Sequence, residues 1–139
     1  MLDDQGTDPA TVVTTEGASI ALGEPVGPAK QLFEQPLPVG RMRGCQYVAT
    51  ADRHASVSVF TAGGDVMKLL MRVNKRTGSA VPGVGDQAYL RGDSIALLRG
   101  EVVVSIRLQS RRVPDRSAAL SRLAAAADRR LAAATEAPA

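Results

Sequence analysis

The sequence predicts an α+β domain, an antiparallel sheet of about five strands covered by two or three helices in the order α-β-β-α-β-β-β-α. Three observations point there. Apolar and polar residues alternate with period two through Cys45–Phe60 and again through Gln87–Gln109. Gly92-Asp93 and Gly100-Glu101 break the second run into short strands, as two-residue hairpin turns do. Two other segments carry apolar residues at helical spacing, and nothing resembles the βαβ alternation that builds a parallel sheet.

Taken in order, residues 1–11 are polar, contain Gly6 and Pro9, and read as a flexible leader before a single domain over 12–134. Thr14 or Thr15 caps a short helix to Leu22, which Gly23 stops and Pro25 forbids from continuing. Pro25, Pro28, Pro36 and Pro38, with Gly27, Gly40 and Gly44, predict a long irregular segment over Glu24–Gly44. A hairpin turning at Asp52-Arg53 follows, with Val57 and Val59 facing opposite to Ser56 and Ser58, and with Cys45 opposite Phe60. Asp65 caps a helix whose Val66, Leu69, Leu70 and Val73 form an apolar face ended by Gly78. The strands QAYLR, SIALLR and VVVSIRLQ come next, the last with Val102, Val104, Ile106 and Leu108 on one face. Pro114 and Asp115 open a final helix with a Leu120, Leu123, Ala127, Leu131 stripe and Arg116, Arg122, Arg129 and Arg130 outside it; residues 135–139 form a frayed tail.

A chain of 139 residues with 45% hydrophobic and 22% charged side chains has the make-up of one globular domain, and no apolar run nears the roughly 20 residues that cross a bilayer. The opening MLDDQGTDPA places acids where a secretory signal carries Lys or Arg, so the chain reads as cytoplasmic or as trimmed of its signal. A net charge of +3 is mild, and the arginine-rich last third carries no aromatic to stack on bases, so specific nucleic-acid binding is not expected.

The stretch VPGVGDQAYLRGD, Val81–Asp93, concentrates the residues that look like a site. Its Gly83-Val84-Gly85 formally matches a dinucleotide fingerprint, but Pro82 precedes and a strand follows, whereas that fingerprint needs a strand before and a helix after. Arg91-Gly92-Asp93 falls on a hairpin turn, where Gly-Asp is ordinary turn chemistry. Tyr89 and Arg91 share a strand face with Asp86 just outside it, which leaves a polar pocket conceivable. Cys45 and the single histidine, His54, fall far apart along the hairpin, and one Cys with one His supports neither a disulfide nor a histidine-rich metal site. No nucleophile, base and orienting group can be assembled, and no metal or cofactor is expected.

DPATVVTTEGASIALGEPVG, GCQYVAT and VPGVGDQAYLRGDSIALLRGEVVVSIRL, followed by the Ala- and Leu-rich last helix, resemble a family of small actinobacterial envelope proteins. These are lipoproteins or secreted domains of unknown function, similar to mycobacterial lipoprotein and kinase-sensor ectodomains. The resemblance implies a PsbP-like α+β architecture, a cell-envelope or extracellular location and action by binding. It also implies a cysteine after the DP dipeptide paired with one at position 45; here the first position is Ala10, which leaves Cys45 single.

The expected function is therefore a non-enzymatic binding module for a protein or small-molecule ligand, with Leu32, Phe33 and Leu37 of the proline-rich segment at the contact. The alternative is a small enzyme or ligand-processing protein with a pocket near Asp86, Tyr89 and Arg91. A homodimer is left open.

Overall fold

The computed structural model describes residues 7–37, 40–63 and 65–136, with the side chains of 33–37, 40, 41, 65–67 and 134–136 outside that description. Along the chain run α1 (Pro9–Val12), α2 (Thr15–Leu22), β1 (Lys30–Leu37), β2 (Gly40–Val48), β3 (Ser56–Gly63), α3 (Asp65–Thr77), β4 (Ser79–Ala80), β5 (Gln87–Arg91), β6 (Ser94–Arg99), β7 (Val102–Gln109) and α4 (Arg116–Glu136). The strands form one antiparallel sheet in the order β1-β2-β3-β7-β6-β5-β4. The α+β class and the antiparallel sheet are as expected, with seven strands in place of about five and four helices in place of two or three.

Alternation sorts the sheet into two faces. Tyr47, Val57, Val59, Ile95, Leu97, Val104, Ile106 and Leu108 point to the face covered by α1, α2 and α4, and each is almost fully buried. Leu120, Leu123, Ala124, Ala127 and Leu131 of α4 pack on them. Asp115 caps that helix by accepting a hydrogen bond from the Ala118 amide at 3.0 Å. The opposite face holds a smaller cluster in which Met71 of α3 meets Ala96 and Val103. Beyond α3 this face carries Ser58, Ser94, Ser105 and Arg107, whose register follows from the β3–β7 and β6–β7 pairing. Burying the apolar face of a Leu or Ile here stabilises the fold by about 1.5–3 kcal/mol per side chain.

The β5–β6 and β6–β7 connections turn at Gly92 (φ 58°) and Gly100 (φ 63°), and no non-glycine among the described residues has positive φ. Positive φ at the first turn position alone is the type II′ arrangement expected of Gly-Asp and Gly-Glu.

Four expectations need correction. The segment Glu24–Gly44 is not a long loop: most of it is β1 and the start of β2, and Val26 already bridges to Ala49. Prolines mislead here because β1 lies at the sheet edge, where a missing N–H removes no ladder bond. The β2–β3 register places Cys45 opposite Val59, one residue from the expected Phe60. The Ala49 amide bonds the Ala55 carbonyl at 2.9 Å, so the loop is symmetric about Asp52 alone and holds an odd number of residues. On α3, Leu70 packs toward the sheet as expected, but Leu69 is 60% and Val73 44% exposed, while Met71 is buried. The face that packs is the one carrying Met71, and Gly78 lets the helix end approach β5 closely: a Cβ there would lie 2.9 Å from the Leu90 carbonyl oxygen and 3.2 Å from the Tyr89 Cβ. The expected Asp65 cap and the Val66 side chain lie outside the described residues. Finally, helix α1 starts at Pro9, inside the segment read as leader. Asp8 accepts a hydrogen bond from the Ala10 amide at 3.0 Å, and Val12 and Val13 enter the core.

Candidate functional site

The proline-rich segment becomes the outer strand of the sheet, so the candidate site is built on β1 and what lies beneath it. Pairing with β2 shifts register between Gln31 and Phe33, a β-bulge that leaves Leu32 43% exposed. The backbone of Phe33 and Leu37 lies in β1, paired with Gly44 and Gly40; their side chains fall outside the described residues. Upstream, the Gly27 amide donates to the Val48 carbonyl at 2.9 Å and the Thr50 amide to the Pro25 carbonyl at 3.0 Å. These bonds extend the edge toward Pro25, and among the described residues no strand pairs with the other side of β1.

Below the edge, α1 and β2 enclose a cavity of about 190 Å³ lined by Asp8, Ala10, Gln31, Arg43 and Cys45 among others. Ala10 and Cys45 thus face one small space, the two positions that the family resemblance would join by a disulfide. Burial, reinforced by the nearby Asp8 carboxylate and opposed by Arg43, pushes the Cys45 thiol up to about 11. A thiol so disposed is a packing group, not a nucleophile. Burial likewise raises the Tyr47 phenol to about 12, with Cys45 and Asp8 adding to the effect; its hydroxyl donates to the Val13 carbonyl, tying β2 to the chain between α1 and α2.

Asp86, Tyr89 and Arg91 do not converge. The Asp86 carboxylate accepts from the Gly100 amide at 2.8 Å and its own amide donates to the Leu98 carbonyl at 2.7 Å, which clamps the approach to β5 onto the β6–β7 turn. The Tyr89 hydroxyl donates to Gln87 Oε1 at 3.1 Å, and Arg91 Nη1 donates to Thr77 Oγ1 at 3.1 Å on the end of α3. The last two share a strand face as expected, and Asp86 is committed elsewhere. Cys45 and His54 line different clefts, as the hairpin implied.

Sequence reasoning missed one charged pair. Arg99 on β6 forks onto Asp128 of α4, Nε to Oδ1 and Nη2 to Oδ2 at 3.1 Å, and the Gly85 backbone also bonds the carboxylate. The Arg99 hydrogen bond, followed by the Gly85 amide, holds the Asp128 carboxyl below the usual range against the opposing effect of burial. The signal was present: position 128 falls one turn beyond Ala124 on the buried stripe of α4, and an acid at a core position calls for a buried partner. Among the described residues no group of three or more His, Cys, Asp or Glu is placed to hold a metal ion, and no helix is long and apolar enough to cross a membrane. No family model, curated protein or solved structure matches this chain.

Proposed function

We propose that this protein is a non-enzymatic binding module of the cell envelope that receives an extended partner segment along β1. The observation that carries the reading is the position of β1, an eight-residue outer strand with an exposed leucine at its bulge. Strand addition uses such an edge: main-chain hydrogen bonds supply affinity, and side chains at the bulge supply selectivity. The envelope location rests on the resemblance of the GVGDQAY and GCQYVAT segments to secreted actinobacterial domains.

Site-resolved hydrogen exchange of the isolated monomer tests this. Amides of β1 that do not face β2 are expected to exchange almost freely, and a photo-crosslinking residue at position 32 is expected to give one discrete adduct in cells. Slow exchange at every β1 amide of the monomer, or no discrete adduct, would overturn the reading.

A further inference from the structure

At the end of the sheet that carries the β5–β6 turn, three connections come together: the β2–β3 loop, that turn and the link from β7 to α4. They enclose a cleft of about 550 Å³, within the range of small-molecule sites. We propose that this cleft binds a small, multiply charged oxyanion ligand, a phosphoryl- or polycarboxylate-bearing molecule held by Arg111, Arg112 and Arg116.

Charge and commitment of the lining carry the inference. Arg111 and Arg112 are adjacent at the end of β7, where the Arg112 amide donates to Ser110 Oγ at 3.1 Å and bends the chain. Arg116 stands at the first position of α4, whose amide end is already capped by Asp115, so the cationic character of this side of the cleft comes from the arginine side chains. All three guanidinium groups belong to exposed residues, and His54 lies on the facing loop. Among the described residues Arg111 and Arg116 have no ion-pair partner, and Arg112 approaches the Glu24 carboxylate only at 3.9 Å.

The two acids in the lining are already engaged. Asp93 Oδ2 accepts from Arg107 Nε at 3.3 Å, and its backbone carbonyl accepts from the Leu108 amide. Asp52 Oδ1 accepts from the His54 amide at 2.9 Å, an Asx turn that shapes its own loop. The cleft is thus lined by three guanidinium groups, of which Arg112 is shared with Glu24, against the carboxylates of Asp52 and Asp93, the latter already paired with Arg107, so the balance of charge is positive and suits an oxyanion. Guanidinium forks match carboxylate and phosphate oxygens two at a time. Because the groups are solvated, binding is salt-sensitive and modest per contact. The site shares no lining residue with the Cys45 cavity and includes none of β1.

The test is a titration of the whole chain with pyrophosphate, and separately with citrate, at low salt, followed by amide and guanidinium NMR. Saturable shifts confined to His54 and residues 110–116 are expected from at least one probe, and which probe acts tells phosphoryl from carboxylate chemistry. Arg111→Gln with Arg116→Gln is expected to weaken binding by about 10-fold or more, roughly the loss of one to two charge-assisted contacts. The control Arg122→Gln with Arg129→Gln, elsewhere on α4, is expected to leave affinity within about twofold. No saturation by either probe, equal loss in both double variants, or shifts spread over all the arginines of α4 would overturn the proposal; unchanged thermal midpoints of the variants confirm that folding is intact.

Discussion

Arg99 and Asp128 join the sheet to α4 through a two-bond fork in which the carboxylate is nearly buried and the guanidinium one-third exposed. The pair sits beside the Gly85 amide, so three segments distant in sequence meet on one carboxylate. Asp128→Asn is expected to lower unfolding free energy by about 2 kcal/mol at neutral pH, since it leaves a partly buried guanidinium with a weaker acceptor. Because the folded Asp128 has a lowered pKa, its stabilisation is complete above the unfolded value of about 3.9 and is lost as pH falls through the lower folded value. Urea unfolding from pH 6 downward should show the native protein losing stability more steeply than Asp128→Asn; equal slopes would contradict the assignment.

The glycines of VPGVGD differ in what they tolerate. Both Gly83 and Gly85 have positive φ, 81° and 58°, but a Cβ at Gly85 would lie 2.5 Å from the Leu98 carbonyl oxygen, while Gly83 faces open space. Gly83→Ala is expected to cost about 1 kcal/mol from backbone strain alone. Gly85→Ala adds a backbone clash and is expected to cost about 3 kcal/mol or more. Thermal or denaturant unfolding of the two variants checks the order.

Cys45 should be slow toward thiol reagents. With the thiol near 11, only about a thousandth is thiolate at pH 8, and the group is 4% exposed. Disulfide-exchange reagents should label it slowly in the native protein and rapidly in denaturant. Ala10→Cys is expected to form a disulfide with Cys45 across their shared cavity, seen as a two-hydrogen loss in intact mass, and to stabilise by about 3 kcal/mol.

Two leucines on helices should respond in opposite ways. Leu120 is fully buried under the sheet, and Leu120→Ala is expected to cost about 3–4 kcal/mol through lost transfer energy and a cavity. Leu69 is mostly in solvent, and Leu69→Ser is expected to change stability by no more than about 0.5 kcal/mol. Chemical denaturation distinguishes these outcomes in one experiment, and a large loss at Leu69 would show that α3 is rotated from the orientation described.

What could be read from the chain depended on how locally each feature is encoded. Strands β5, β6 and β7 and their turns were legible because alternation and a leading glycine act within a few residues. The edge strand β1 was not, because proline is an argument against a strand only where both sides need hydrogen bonds. For α3 the spacing of apolar residues was visible, but which side meets the sheet is set by the packing of Met71 on Ala96 and Val103, a tertiary event. The site followed the same division. Tyr89 and Arg91 do share a face, as period two requires, yet only the return of the β6–β7 turn shows that Asp86 is spoken for. The arginine cleft gathers residues near 53, 93 and 111, which become neighbours only through the strand order.

The two borders of the sheet are unequal, and that sets a ceiling on assembly. On one side β4 is two residues long and ends at Val81-Pro82; on the other β1 offers eight. A sheet with a single usable border can accept one guest strand or pair once with a copy of itself about a two-fold axis, and it then has nowhere left to grow. Concentrating the protein should therefore drive it to a dimer at most, without the open-ended fibres that two free borders would permit.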